Sequence, residues 1–233
     1  MQFEQTLIPG QLVKRYKRFM ADVELEDGSI VTAHCPNSGS MKTCDTPGWQ
    51  VRLSPADNPK RKLKYTWELV HNNKCWIGIN THRANHLTRE AIEQEWIPEL
   101  AGYDKLETEK KYGQNSRIDI LLSSSGQKCY VEIKNVTLVE SDEFYKFPDS
   151  VTARGLKHLC ELRDMVKQGH RAVMLFCIQR SDGTIFRPAS EIDPKYAAAL
   201  KEAYRDGVEV LAYRTEISPE VIEIKHKTDF KLD

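Results

Sequence analysis

The stretch "RIDILLSSSGQKCYVEIKNVTL", residues 117–138, decides the fold of the second half of the chain. Two apolar runs flank a Ser/Gly cluster, the composition of a turn, so the segment reads as a β-hairpin. Side chains two apart in a strand share a face. Cys129, Val131 and Ile133 therefore oppose Tyr130, Glu132 and Lys134, and Ile118 and Ile120 oppose Arg117 and Asp119. A register that pairs the two strands sets Asp119 beside Glu132. Adjacent carboxylates repel and destabilise a sheet unless a cation lies between them. Ligation by oxygen alone, with positions left for water, suits Mg²⁺ or Mn²⁺. A lysine beside such an ion can orient water or stabilise a phosphate. The alternative reading of the same residues is a solvated face without chemistry.

The elements around the hairpin give its setting. "NHLTREAIEQEW" before it places Leu87 and Ala91 on one helical face, with Glu90 beside them. "DSVTARGLKHLCELRDMVKQGH" after it reads as a helix with a leucine stripe, stopped at Gly169. On another face of that helix Arg154, His158 and Glu161 recur at i, i+4 and i+7, either turned onto the acids or simply solvated. "RAVMLFCIQ" and "VEVLAYR" are buried parallel strands, with "DPKYAAALKEAYRDG" a helix between them. The order helix, antiparallel strands, helix, strand, helix, strand predicts an α/β sandwich.

Residues 1–80 differ. "RYKRFMADVEL", "SIVTAHC", "WQVRLS", "KYTWELV" and "KCWIGIN" read as five short strands between Gly, Pro, Asn and Asp turns, which predicts a small barrel or sandwich. The domain boundary is placed at residue 82: an all-β domain over 1–82 and the α/β domain over 83–233. Lysine and arginine number 11 against 8 acids in residues 1–82, and 23 against 26 beyond. The excess in the first part is clustered. Lys14, Arg15, Lys17 and Arg18 surround Tyr16 and Phe19, and Lys60, Arg61, Lys62 and Lys64 precede Tyr65 and Trp67. Cations attract phosphates and rings stack on unpaired bases. The rings read equally well as core. Asn37 and Ser38, in the turn "PNSGSM", suit a phosphate or a neighbouring domain.

The bulk numbers bound the class. The chain has 233 residues, 40% hydrophobic and 29% charged, with no net charge, an ordinary globular mix. No apolar run approaches the ~20 residues of a membrane span, and the first residues lack a signal pattern. The expectation is a cytoplasmic protein without a membrane partner. Six cysteines without a C-x-x-C pair give no disulfide framework or zinc site. The absence of a glycine-rich nucleotide loop and of a nucleophile elbow argues against a sugar-metabolising enzyme.

Asp119 followed by Glu132-Ile133-Lys134, in this order of elements, resembles the PD-(D/E)-x-K nuclease-like fold of restriction endonucleases. The resemblance implies metal ligation by Asp119 and Glu132, with Lys134 assisting the attacking water. It also implies a further acid from the first helix, for which Glu90 is the best match and Glu93 a rival. Ile118 stands where the name of the fold has proline. "RYKRFMADV", "HCPNSGSM", "TPGWQV", "DNPKRKLKYTWELV", "YGQNSRIDILL", "YVEIKNVTL", "FPDSVTARGLKHLCEL" and "GVEVLAY" together resemble the bacterial sugar fermentation stimulation protein A (SfsA) family over nearly the whole chain. That resemblance implies an OB-like barrel followed by a nuclease-like domain. It further implies DNA binding without sequence preference, a role in regulating sugar (maltose) metabolism, and phosphate contacts from the basic residues, with Arg154 and His158 joining them. The other function it allows is an active Mg²⁺- or Mn²⁺-dependent phosphodiesterase on DNA or RNA, with an indirect regulatory role.

Overall fold

The computed structural model describes residues 1–56, 58, 60–113 and 115–232. Six strands form the first sheet: β1 (Ile8–Tyr16), β2 (Met20–Leu25), β3 (Ile30–His34), β4 (Gln50–Pro55), β5 (Tyr65–His71) and β6 (Trp76–Gly78), in the order β3-β2-β1-β4-β5-β6. Parallel pairing of Ala33 with Tyr65 and of His34 with Thr66 joins β3 to β5 and closes β1–β5 into a barrel. Inward positions carry Leu12, Val23, Ala33, Val51, Leu53 and Trp67, all essentially inaccessible. The expected first strand, "RYKRFMADVEL", is instead a hairpin. It turns at Lys17 (φ 50°) and Arg18 (φ 64°), a left-handed pair that matches the twist of two antiparallel strands. The strand read from "KCWIGIN" is β6, which lies outside the closed ring.

The second domain contains α1 (Arg83–Glu93), β7 (Lys105–Tyr112), β8 (Ser116–Ser124), β9 (Gln127–Val136), β10 (Leu138–Val139), β11 (Tyr145–Phe147), α2 (Ala153–Lys167), β12 (Arg171–Ile178), β13 (Phe186–Pro188), α3 (Pro194–Arg205), β14 (Glu209–Ile217) and β15 (Ile222–Lys227). Its main sheet has the order β15-β14-β12-β9-β8-β7. β9, β12 and β14 run parallel, while β7, β8 and β15 are antiparallel to their neighbours. Alternation along β9 is what makes the sandwich. Cys129, Val131 and Ile133 pack with Ala84, Leu87 and Ala91 of α1. Tyr130 packs on the opposite side with Leu159 and Leu162 of α2 and Tyr196 of α3. Covered on both faces, β12 is an unbroken apolar run. Side-chain oxygens of Thr152 and Asp193 cap α2 and α3 by accepting from Gly155 N and Tyr196 N at 3.0 Å each. β15 was not expected from the sequence. Met1 and Leu7 pack in the α1 layer, and Gln2 bridges to Val221, so the chain crosses the second domain before entering the barrel. No helix among the described residues is long and apolar enough to cross a membrane.

The two domains are joined by buried polar contacts. Arg180, 2% exposed, donates Nη1 to the Thr137 carbonyl at 2.6 Å and to Thr43 Oγ1 at 3.1 Å. Its Nε and Nη2 reach Asp182 at 2.6 and 2.7 Å. Asn72 from the barrel donates to the same carboxylate at 2.6 Å. Burial pushes the Asp182 carboxyl up, but the Arg180 fork outweighs it and holds the group down to about 2. The "PNSGSM" turn docks on Asp149, whose Oδ2 accepts Met41 N–H at 3.2 Å and Ser40 Oγ–H at 3.3 Å. A Cβ on Gly39 would collide with the Asp149 carboxylate and push it from its place.

Candidate active site and its basic approach

The β8–β9 ladder ends at the pair Ile120–Val131. One step further the Asp119 side chain substitutes for a ladder carbonyl: Oδ2 accepts Ile133 N–H at 2.7 Å and Oδ1 accepts Asn85 Nδ2 at 2.9 Å. Glu132, 2% exposed, points to α2. Its Oε1 accepts Lys134 Nζ at 2.7 Å and is in contact with His158 Nδ1. His158 presents Nδ1 to Glu132 Oε1 and, at 3.2 Å, to Lys134 Nζ, while its Nε2 lies 3.4 Å from Arg154 Nε. The face of α2 carrying Arg154, His158 and Glu161 thus does meet the acidic hairpin. Gly113, at φ +52°, makes room for Glu161: a Cβ there would lie 2.7 Å from Glu161 Oε1.

Burial, reinforced by the charge of Glu132, pushes the Asp119 carboxyl up to about 6. Burial acts on Glu132 in the same direction, but hydrogen bonds and charge from His158 and Lys134 prevail and hold it below its ordinary value. Glu132 Oε2 is buried without a hydrogen-bond partner. The Tyr112 hydroxyl is likewise buried and unpartnered, and its pKa is raised by burial and then by Glu132, Glu161 and Asp119. An orphaned carboxylate oxygen next to a second carboxylate, in an all-oxygen donor pair, fits a hard divalent cation. Asp119 and Glu132 are the residues that would hold it. Among the described residues no group of three or more His, Cys, Asp or Glu side chains is gathered for a metal ion.

Several candidates stand elsewhere. Glu90 pairs with the Met1 amino group at 2.5 Å, and Glu93 pairs with Arg89 at 2.8 Å. The α1 residue that reaches Asp119 is Asn85, because the packing of Leu87 and Ala91 turns the helix so that Glu90 faces away from the hairpin. Trp67 is a core ring, 0% exposed, with Nε1 donating to the Leu69 carbonyl at 2.9 Å. Arg15 is committed to the carbonyls of Arg18, Asn37, Gly39 and Ser40, bracing the docking turn rather than a phosphate. The Tyr16 hydroxyl donates to Asp22 at 3.0 Å. Lys14 lies 3.6 Å from Asp22 and over the Tyr16 ring. Asn37 is buried and Ser38 exposed in the docking turn. His158 sits on Glu132 instead of on a surface, while Arg154 is exposed.

The remaining cations converge. Lys17 and Arg18 form the β1–β2 turn, and Lys60, Arg61, Lys62 and Lys64 form the β4–β5 loop, apart from Asp57 and Pro59 of that segment, which lie outside the described residues. His34 pairs with Met20 on one side and Thr66 on the other, so both loops sit at the same end of the barrel. These are the loops with which OB barrels hold oligonucleotides. The docking turn at 36–41 leaves from the same end, so the basic loops lie on the side of the barrel that meets the second domain.

The family model for the SfsA N-terminal OB domain matches residues 13–79, and that for the sugar fermentation stimulation protein RE domain matches residues 82–221. A sugar fermentation stimulation protein homolog of Geotalea uraniireducens (strain Rf4) is 56% identical over 232 residues, 100% of each chain. A homolog of Maricaulis maris (strain MCS10) is 54% identical over 225 residues, 96% of each chain. The solved structure of Pyrococcus furiosus SfsA in complex with Ca²⁺ matches with a TM-score of 0.89 at 29% identity, covering 99% of this chain and 98% of that one. An OB-like five-stranded barrel, a restriction-endonuclease-like α/β domain and full-length relatives agree, and the chain belongs to the SfsA family.

Proposed function

We propose that this protein binds DNA without sequence preference and that its second domain is a divalent-metal phosphodiesterase site using Mg²⁺ or Mn²⁺. The observation that carries the reading is the buried, unpartnered Glu132 Oε2 beside the raised Asp119 carboxyl, with Lys134 within reach. The Ca²⁺ held by the Pyrococcus furiosus relative supports a site for a divalent cation. Such a cation supplies Lewis-acid stabilisation of the charge that builds on a phosphate under attack by water. The chain's own residues do the rest. Asn85 and the Ile133 amide fix Asp119, His158 fixes Glu132, and Lys134, its side chain 13% exposed, turns its ammonium to the phosphate or to the attacking water. The relatives' name refers to sugar fermentation, and an effect on sugar (maltose) metabolism follows indirectly, through DNA.

The second reading is a binding module without cleavage. It is favoured by the Lys134–Glu132 pair at 2.7 Å, which ties up the ammonium that the reaction needs. Incubation with single-stranded, duplex and branched DNA and with RNA, with Mn²⁺ or Mg²⁺ and with chelator, separates the two. Cleavage that chelator, Asp119→Asn and Lys134→Ala each abolish is expected. Cleavage that survives both substitutions removes the hairpin from the chemistry. No cleavage of any substrate leaves the binding module.

A further inference from the structure

Between the docking turn and the second domain lies a cleft of about 310 Å³ that the reading above does not use. Its wall takes Arg18, Asn37 and Ser38 from the barrel and Asn135, Thr137 and Thr152 from the other side. The hydrogen-bond inventory of this wall is one-sided. Asn37 Oδ1 is occupied by Gly39 N–H, and Asn135 Oδ1 is occupied by Gln179. Both amide nitrogens, the Ser38 hydroxyl and the Arg18 guanidinium have no partner among the described residues. Two further charged groups line the cleft, and both are already satisfied. Lys146 is held by Glu140, Asp142 and Glu191, and Asp149 by Ser40 and Met41. A wall of free donors with one free cation selects a ligand rich in acceptors and carrying one negative charge.

Two of the four large apolar residues left exposed among the described residues flank this cleft in the chain. Phe19, 52% exposed, follows Arg18, and Val151, 76% exposed, lies between the lining residues Ser150 and Thr152. We propose that the cleft receives one unpaired nucleotide of a nucleic-acid strand. In this arrangement the base edge meets the two asparagines, the phosphate meets Arg18, and the base lies against Phe19 and Val151. The volume is at the small end of ligand pockets, about 300–1,000 Å³. It admits a nucleotide, whereas a duplex, with a major groove alone about 12 Å wide, can only lie across the mouth. The inference rests on the nucleic-acid reading above and narrows it to substrates with unpaired nucleotides: single strands, bulges and flaps.

The test is fluorescence anisotropy of the intact protein in chelator, with a labelled single strand of about 20 nucleotides, longer than one OB-fold site, and with the matching duplex. The expected result is tighter binding of the single strand. Phe19→Ala should weaken that binding by about tenfold, the size of one base–aromatic contact, and Val151→Ser by a smaller factor, since valine has no ring to stack, while duplex affinity stays unchanged. Both residues are exposed, so the melting temperature of each variant should equal the parent's. Equal affinity for strand and duplex, or variants that weaken both alike, overturns the inference and leaves DNA binding standing. Displacement of the strand by micromolar mononucleotide makes the occupant a free nucleotide and also overturns it. Failure of the parent to bind any polynucleotide overturns the reading beneath it.

Discussion

Asp119→Asn should make the metal-free protein more stable at neutral pH. The folded carboxyl titrates at about 6, whereas in the unfolded chain it has its ordinary value of 3.8. A folded pKa above the unfolded one means that the stability is intact below about pH 4, falls between pH 4 and 6, and stays low above pH 6. Two pKa units correspond to about 3 kcal/mol. Asparagine removes that penalty and keeps one oxygen for Ile133 N–H. Asn85 can turn its amide to accept from the new NH₂ group, at a residual loss of about 1 kcal/mol. The net gain is about 2 kcal/mol above pH 7, or about 4–8 °C in melting temperature for a chain of this length. Calorimetry in chelator at neutral pH and at pH 4 measures it, and at pH 4, where the penalty is gone, the variant should be less stable than the parent by up to about 1 kcal/mol. Millimolar Mn²⁺ should then reverse the order. The parent gains about 2.7 kcal/mol at a hundredfold excess over its dissociation constant, and the variant gains nothing. A variant no more stable than the parent in chelator, or one with the same gain at both pH values, refutes the electrostatic account of the hairpin. A parent indifferent to Mn²⁺ and Mg²⁺ refutes the metal site.

Trp67→Ala should destabilise the barrel by about 3–5 kcal/mol in urea titration, because the ring is fully enclosed and its loss leaves a cavity. Replacing Lys17, Arg18, Lys60, Arg61 and Lys62 by alanine should weaken duplex binding for every sequence alike and lower the log–log salt slope by up to about 4.5. Arg15→Ala should leave that slope unchanged and lower the melting temperature, since its guanidinium braces backbone carbonyls. Arg180→Ala should cost about 3–5 kcal/mol by leaving Asp182 buried without its cation, seen as a lower urea midpoint.

The hairpin was legible because its information is local: the turn fixes the register, and along β9 parity fixes which side chains share a face. The α2 triad Arg154, His158 and Glu161 was legible for the same reason at helical spacing. Along β8 parity failed, since Ile120 lies in the α1-side core and Ile118 in the α2-side core, where the ladder stops at Ile120 and Asp119 takes up the Ile133 amide instead. Glu90 was misassigned because parity says nothing about how a helix is rotated against a sheet. That rotation is set by Leu87 and Ala91 packing on residues far along the chain, and it brings Asn85 to Asp119. Trp67 and Arg15 failed in the same way. A ring or a cation in a basic run is spent by whatever it meets in space, here the barrel core and the turn at 37–40. The hairpin at Lys17 and Arg18 was read as one strand because its left-handed turn carries no glycine or asparagine to announce it. The Arg180–Asp182 pair left no periodic signal and was not seen at all.

The joint built on Arg180 has a kinetic consequence. Domain closure, the gate that limits turnover in many enzymes, requires an interface whose contacts separate at little cost. Here Arg180 of the second domain donates to Thr43 of the barrel, and Asn72 of the barrel donates to Asp182. Parting the domains would cut both bonds, each made to a charged group and worth about 1.5–3 kcal/mol. The jaws of the cleft are therefore held together by the fold itself. Any ligand of the cleft would then enter an aperture already shaped, without waiting for the domains to close.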